Sequence, residues 1–210
     1  PGQVAWNLNG IYGIIFWDVV GANKNKRLSG AFGGGPTLLY NKKSGAFLCG
    51  MKNKHYNKVN SVNDLTFSCV YAYDKAGKLA YSGFRRSQMK WLQKDRVFKV
   101  DSEIMKTGSI VSWQYDIKSG KGMKLSVSVA KGNFKEVWVN LPLFFDKNSQ
   151  IKPSPNGGYT LTSNGVPVKI GFDKKLKSTI SEKLPTANYI IKALRIKLPA
   201  SGKVDITFSL

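Results

Sequence analysis

Histidine is almost missing from this chain: His55 is the single imidazole in 210 residues. Cysteine occurs twice, as Cys49 and Cys69, without the spacing of metal ligands, so neither a zinc set nor a disulfide scaffold can be assembled. No structural metal and no cofactor are expected. Each cysteine sits in an apolar run, Ala46-Phe47-Leu48-Cys49 and Phe67-Ser68-Cys69-Val70. Buried free thiols are the first reading and a disulfide the alternative, which leaves the cellular compartment open. Glutamate is also scarce, limited to Glu103, Glu136 and Glu182, and no motif pairs them with each other or with the aspartates. A two-carboxylate glycosidase therefore has no footing in the spacing. Gly-x-Ser-x-Gly is absent, and nothing sets a serine or cysteine nucleophile beside His55. Taken alone, the chain is not expected to be an enzyme. It has no apolar stretch long enough to cross a bilayer, and it opens Pro1-Gly2-Gln3 without a basic-then-apolar leader. That opening suggests the C-terminal part of a longer protein.

Negative charge is the next shortage, with Asp+Glu 12 against Lys+Arg 33 and a formal net charge of +21. Arginine contributes little, being confined to Arg27, Arg85, Arg86, Arg96 and Arg195. Lysine is a hydrated point charge, whereas arginine makes the bidentate forks that read phosphate and guanine edges. The balance points to diffuse, salt-sensitive attraction for a polyanion and away from base-specific readout, so nucleic acid is an unlikely partner.

What the chain does have is a hydrophobic fraction of 42% and a dense succession of strand signals. Val204 to Leu210, Leu125 to Val129 and Val137 to Leu141 alternate apolar with polar residues, as does Val111-Ser112-Trp113-Gln114-Tyr115. Between Tyr189 and Leu198, Ile190, Leu194, Ile196 and Leu198 share one parity, while Arg195 and Lys197 take the other. Turn residues punctuate the runs at Asn41 to Gly45, Asp74 to Gly77, Ser119 to Gly122, Asn156 to Gly158, Ser163 to Gly165 and Ala200 to Gly202. No segment keeps a helical period over three turns. The expected fold is all-β, an antiparallel two-sheet β-sandwich, forming a single domain over residues 1–210.

Four places invite a functional reading. Gly30-Ala31-Phe32-Gly33-Gly34-Gly35-Pro36 lacks the Gly-Lys-Ser/Thr ending and the following helix of a phosphate loop. It reads instead as an irregular bend ahead of a strand Thr37 to Tyr40. His55 is the one side chain that titrates near neutrality, and Tyr56 beside Lys54 and other cations can exchange protons with it. Both are weak catalytic candidates against the alternative of an ordinary polar loop. Arg85 and Arg86 with Lys90 and Trp91 join cations to an aromatic platform, which would suit the carboxylate or sulfate of a sugar ring, the alternative being a turn flanked by solvated charges; Lys54 beside His55 is a further binding candidate. Trp6, Trp17, Trp113 and Trp138 lie in strand runs and read as core or rim aromatics.

The stretch Leu28-Ser29-Gly30-Ala31-Phe32-Gly33-Gly34-Gly35-Pro36-Thr37-Leu38-Leu39-Tyr40, the hairpin-rich middle and Leu141-Pro142-Leu143 ahead of short terminal strands resemble the C-terminal β-sandwich of heparinase II/III-like polysaccharide lyases. The resemblance implies a secreted or periplasmic protein in which a helical domain precedes the sandwich. Uronic-acid polymers would be cleaved by β-elimination in the cleft between the two. The sandwich would bind the acidic polysaccharide or wall the cleft, with most of the catalytic set upstream of Pro1 and only His55 and Tyr56 available here to complete it. The alternative is a stand-alone carbohydrate-binding or adhesion module without catalytic activity.

Overall fold

A computed structural model of the chain describes residues 2–17, 33–50, 59–82, 87–104, 107–119, 121–130, 132–186, 189–200 and 202–210. Within them the strands are, in chain order, β1 (Gly2–Leu8), β2 (Ile11–Trp17), β3 (Gly33–Asn41), β4 (Gly45–Cys49), β5 (Cys69–Asp74), β6 (Leu79–Tyr81), β7 (Gln88–Gln93), β8 (Val97–Glu103) and β9 (Ile110–Asp116). They continue with β10 (Gly122–Val129), β11 (Phe134–Phe145), β12 (Gln150–Pro153), β13 (Tyr159–Ser163), β14 (Val166–Gly171), β15 (Ser178–Lys183), β16 (Ile190–Lys197) and β17 (Lys203–Ser209). The only helical piece among the described residues is a 3-10 turn, Val62–Asp64.

All registered pairings are antiparallel, and they form two sheets packed as a sandwich. The first runs β1-β2-β3-β4-β11-β16-β15, with β5 also on β11 and β6 on β5. The second runs β12-β13-β14-β17-β10-β9-β8-β7. Apolar residues of one parity meet between them: Val139, Leu141 and Leu143 of β11 and Leu194 and Ile196 of β16 from the first sheet, Phe98, Trp113, Tyr115, Leu125 and Ile206 from the second. All of these are fully buried. Truncating an aromatic such as Trp113 at such a position costs about 3–5 kcal/mol.

β11 is the longest strand and organises the first sheet. One edge pairs with β16 from Trp138 to Phe145, and the other is shared, with β5 on Phe134 to Asn140 and β4 at Leu143. Pro142 has no N–H to give a ladder. It falls between Asn140 and Leu143, where the shared edge has no registered partner.

The expected bend at the glycine-rich segment is corrected. β3 already begins at Gly33, and shifts in the β2–β3 register absorb the irregularity. At Gly34, φ is +80°, and a Cβ there would lie 2.4 Å from Val100 Cγ1 of the facing sheet. The Tyr115 hydroxyl donates to Gly34 O at 2.6 Å. These glycines let the two sheets approach, and the tyrosine takes up the exposed carbonyl. The cysteines are free thiols, Cys69 buried and Cys49 partly so, as first read.

Glycine has a second packing role in the β1–β2 hairpin. A Cβ on Gly13 would stand 2.1 Å from Trp6 Cζ2, so the indole lies directly over that backbone. Gly13→Ala must displace Trp6 from its contacts with Phe98 and Tyr115, each at 6.0 Å between ring centroids. The expected loss is about 1–3 kcal/mol in urea unfolding, by the usual cost of overpacking. Unchanged stability would show that Trp6 is not seated as described.

Candidate functional site

Alternation along β11 sends Val139, Leu141 and Leu143 into the sandwich and Trp138, Asn140 and Phe144 to the outer face of the first sheet. An outer face of a sandwich is normally left to water. Here the segment 59–68 crosses it and builds a second small core from Leu65, Phe67, Cys69, Tyr71 and Trp138. The segment starts on a capping box, with Ser61 and Asp64 satisfying each other's backbone N–H groups around the 3-10 turn.

Fully buried Asn140 fastens this layer. Its Nδ2 donates to Leu65 O at 3.0 Å and Phe67 O at 2.9 Å, and its Oδ1 accepts from Arg195 Nε at 3.4 Å. Arg195 Nη2 then donates to Val62 O at 3.2 Å and Asn63 Oδ1 at 2.9 Å. A planar guanidinium serves two elements at once, which a lysine could not do.

Registered neighbours place a row across this face. Tyr81 stands opposite Tyr71, Tyr71 opposite Trp138, and Trp138 opposite Lys197. The Lys197 N–H donates to Lys177 O at 2.9 Å, which extends the row to a second cation. Tyr71 and Trp138 lie parallel with centroids 6.3 Å apart. Lys177 Nζ and Lys197 Nζ sit 6.0 and 5.9 Å from the Trp138 ring centroid, at the outer limit of a cation–π contact. Glu136 Oε2 accepts the Trp138 indole N–H at 2.7 Å and lies 3.6 Å from Lys197 Nζ. Trp138 is itself only 8% exposed, so the lysines and not the ring face meet the solvent.

The titratable groups limit the chemistry. Burial pushes the Tyr71 phenol up despite the opposing Arg195 charge, and burial raises Tyr81 to about 12. Both are hydrogen-bond donors near neutrality and are poor bases. The Trp138 indole N–H, aided by Lys197, holds the Glu136 carboxylate below its ordinary value. The row thus offers two ammonium groups against one carboxylate, which suits holding an anion and does not suit proton abstraction.

Ion pairs are unevenly shared between the two sheets among the described residues. On the outer face of the second sheet, Arg96–Asp116, Lys99–Asp101, Lys124–Asp205 and Lys203–Asp205 form ion pairs. Along β15 and β16 and the turn before them lie Lys174, Lys175, Lys177, Lys183, Lys192 and Lys197, and only Lys197 is in an ion pair among the described residues. Lys192 Nζ sits 5.8 Å from the Phe145 ring centroid, and Lys183 registers opposite Lys192. The lysines divide between the two faces of the first sheet: Lys177 and Lys197 stand on the outer face over Trp138, whereas Lys183 and Lys192 stand at the other end of the β15–β16 ladder, on the side of Leu143 and Phe145.

Of the residues singled out in the sequence, Lys54, His55, Tyr56, Arg85 and Arg86 lie outside the described residues. Lys90 and Trp91 are on β7, the edge of the second sheet, and project from opposite faces. Lys90 registers with Lys99, while Trp91 registers with Phe98 and meets its ring edge-on at 5.2 Å. They form no common platform. The lysine ladder and the Trp138 row escaped the sequence reading because each combines strands far apart in the chain. A separate surface hollow of about 280 Å³ is lined by Ser154, Asn156, Tyr159, Thr160 and Lys169 among others. Among the described residues no cluster of His, Cys, Asp and Glu could hold a metal, and no helix is long and apolar enough to cross a membrane.

No protein-family model matches the chain, and no curated protein does. Among solved structures, the crystal structure of 4-alpha-glucanotransferase from Thermococcus litoralis matches with a TM-score of 0.49 at 10% sequence identity. The match covers 99% of this chain and 37% of that one.

Two measurements test the site's construction. Asn140→Leu keeps the volume but strips the donors from Leu65 O and Phe67 O, and should cost about 2–4 kcal/mol in denaturant unfolding. A loss within about 0.5 kcal/mol, as at an ordinary surface site, would refute the fastening role. For Glu136, a depressed folded pKa means that its stabilisation is present above the unfolded value and is lost as pH falls through the folded one. The difference in tryptophan emission between the protein and Glu136→Gln should therefore persist down to 4.5, the ordinary glutamate value, and vanish only below it. A midpoint at or above that value contradicts the indole contact.

Proposed function

We propose that this sandwich is a non-catalytic binding domain of a carbohydrate-active protein, holding an acidic polysaccharide along the lysine-rich β15–β16 edge. One observation carries the reading: Lys177 and Lys197 are brought together over Trp138 with Glu136 alone as a carboxylate partner. A net charge of +21 cannot be neutralised within the chain, whatever the pairing. Lys177 and Lys197, held over the Trp138 ring on the outer face, lose less freedom on meeting an anion than lysines on loops. Lysine suits carboxylates and sulfates distributed along a flexible polymer, where point charges need no fixed fork.

On this reading the domain concentrates and orients the polymer. The raised Tyr71 and Tyr81 support a donor role for these phenols, so β-elimination would draw its base from elsewhere, as in a polysaccharide lyase with an upstream catalytic domain. A parent protein acting on external polysaccharide would be secreted or periplasmic.

The test is a titration with alginate, heparin, neutral dextran and single-stranded DNA at two salt concentrations. Alginate binding should weaken with salt, because counterions are released on binding, and dextran should not bind. Lys177→Ala with Lys197→Ala should lower alginate affinity roughly tenfold, about 1.4 kcal/mol. The matched pair Lys124→Ala with Lys203→Ala should change it less than twofold. Equal losses from the two pairs would remove the β15–β16 site, and equal binding of alginate, heparin and DNA would reduce the interaction to nonspecific charge.

A further inference from the structure

The first seventeen residues contain no Asp, Glu, Lys or Arg, and neither do β3 and β4, although 21% of the whole chain is charged. Four successive strands, β1 to β4, thus make an uncharged half of the first sheet. At about 4.8 Å between strands, these uncharged strands reach about 15 Å inward from β1, beyond a Debye length at physiological salt, with Lys42 and Lys43 confined to the β3–β4 turn at one end.

β1 is the outermost strand of that zone, and among the described residues its only registered partner is β2. An unpaired edge offers a row of N–H and C=O groups to another strand, and proteins usually blunt it with lysine, proline or shortness. The other described edges follow that rule. β7 carries Lys90, β12 carries Lys152 and Pro153, β15 carries Glu182 and Lys183, and β6 is three residues long. β1 has seven residues, Gly-Gln-Val-Ala-Trp-Asn-Leu, with neither charge nor proline.

We infer that β1 is a self-pairing edge, through which two copies of this chain join antiparallel about a two-fold axis at Ala5. Antiparallel pairing is self-complementary, so one strand supplies both sides of the seam. With Ala5 opposite Ala5, Gln3 meets Asn7 on the outer side, where Gln3, Ala5 and Asn7 are exposed. The two amides can exchange hydrogen bonds. Towards the core, Val4 meets Trp6 and Gly2 meets Leu8, each a small residue opposite a large one. Two chains of +21 repel each other over most of their surfaces, and the uncharged half-sheet is where they can approach with least opposition.

Salt should therefore act on this contact in the opposite direction to polysaccharide binding: it screens the repulsion and strengthens pairing. Sedimentation equilibrium of the chain at about 100 µM, without polyanion, should show a monomer–dimer equilibrium shifted towards dimer between 0.05 and 0.5 M sodium chloride, for a Kd on the order of 10 µM. Ala5→Lys sets two ammonium groups side by side at the axis and should weaken pairing at least tenfold, with an unchanged circular dichroism spectrum. As a check independent of that variant, Gln3→Lys with Asn7→Lys should abolish self-pairing, and mixing it with Gln3→Glu and Asn7→Glu should restore a mixed dimer. A monomer at both salt concentrations overturns the inference, as does a dimer that survives Ala5→Lys or a charge-swapped mixture that does not pair.

Discussion

Alternation along β11 is the constraint on which the rest of the structure depends. Its inward residues join the main core, and its outward ones require a second layer, so one twelve-residue strand dictates both what fills the sandwich and what covers it. The fully buried Asn140 shows how strict this is. An amide facing outward under a crossing segment must find partners, and it finds two carbonyls of that segment and the one arginine of β16. With the segment fixed, Tyr71 and Trp138 are fixed, and Lys177 and Lys197 come to rest above the indole.

The same economy governs charge. Strand parity keeps lysine off the core, but parity alone would spread the surplus evenly. Aspartates pair with cations on the outer face of the second sheet, whereas Lys177 and Lys197 meet Glu136 over Trp138 on the first, and the strands β1 to β4 carry no charged residue. A strongly basic protein thus acquires a cationic row beside Trp138 and a set of four strands without charge. The former favours a polymer that weakens its hold as salt rises, and the latter favours a contact that salt strengthens.

Much of the fold was legible in the chain. The turn residues at Asn41 to Gly45, Ser163 to Gly165 and Ala200 to Gly202 fall at the β3–β4, β13–β14 and β16–β17 connections, because positive φ is needed where strands reverse. The parity read between Tyr189 and Leu198 puts Leu194, Ile196 and Leu198 inside. Asn9-Gly10, not among the turns read from the sequence, is a further hairpin connection, and both residues have positive φ between β1 and β2. The glycine run misled, because a bulged strand needing close sheet contact and a loop needing a bend call for the same residue. Ile191, buried on the outer side of β16, breaks the simple alternation because the outer face there is also covered.

The candidate site was far less legible. Lys90 and Trp91 are adjacent in sequence, and adjacency on a strand means opposite faces. Lys177, Lys197 and Trp138 are distant in sequence and become neighbours only through the β11–β16–β15 pairing. The most direct measurement of the central claim is an NMR titration with an alginate oligomer, following lysine ammonium-adjacent carbons and tryptophan indole N–H signals. The account predicts the largest shifts at Lys177 and Lys197 and at the Trp138 indole, with Lys99, Lys124 and Lys203 little changed. Shifts of equal size on both sheets, or larger ones on the second sheet, would contradict it.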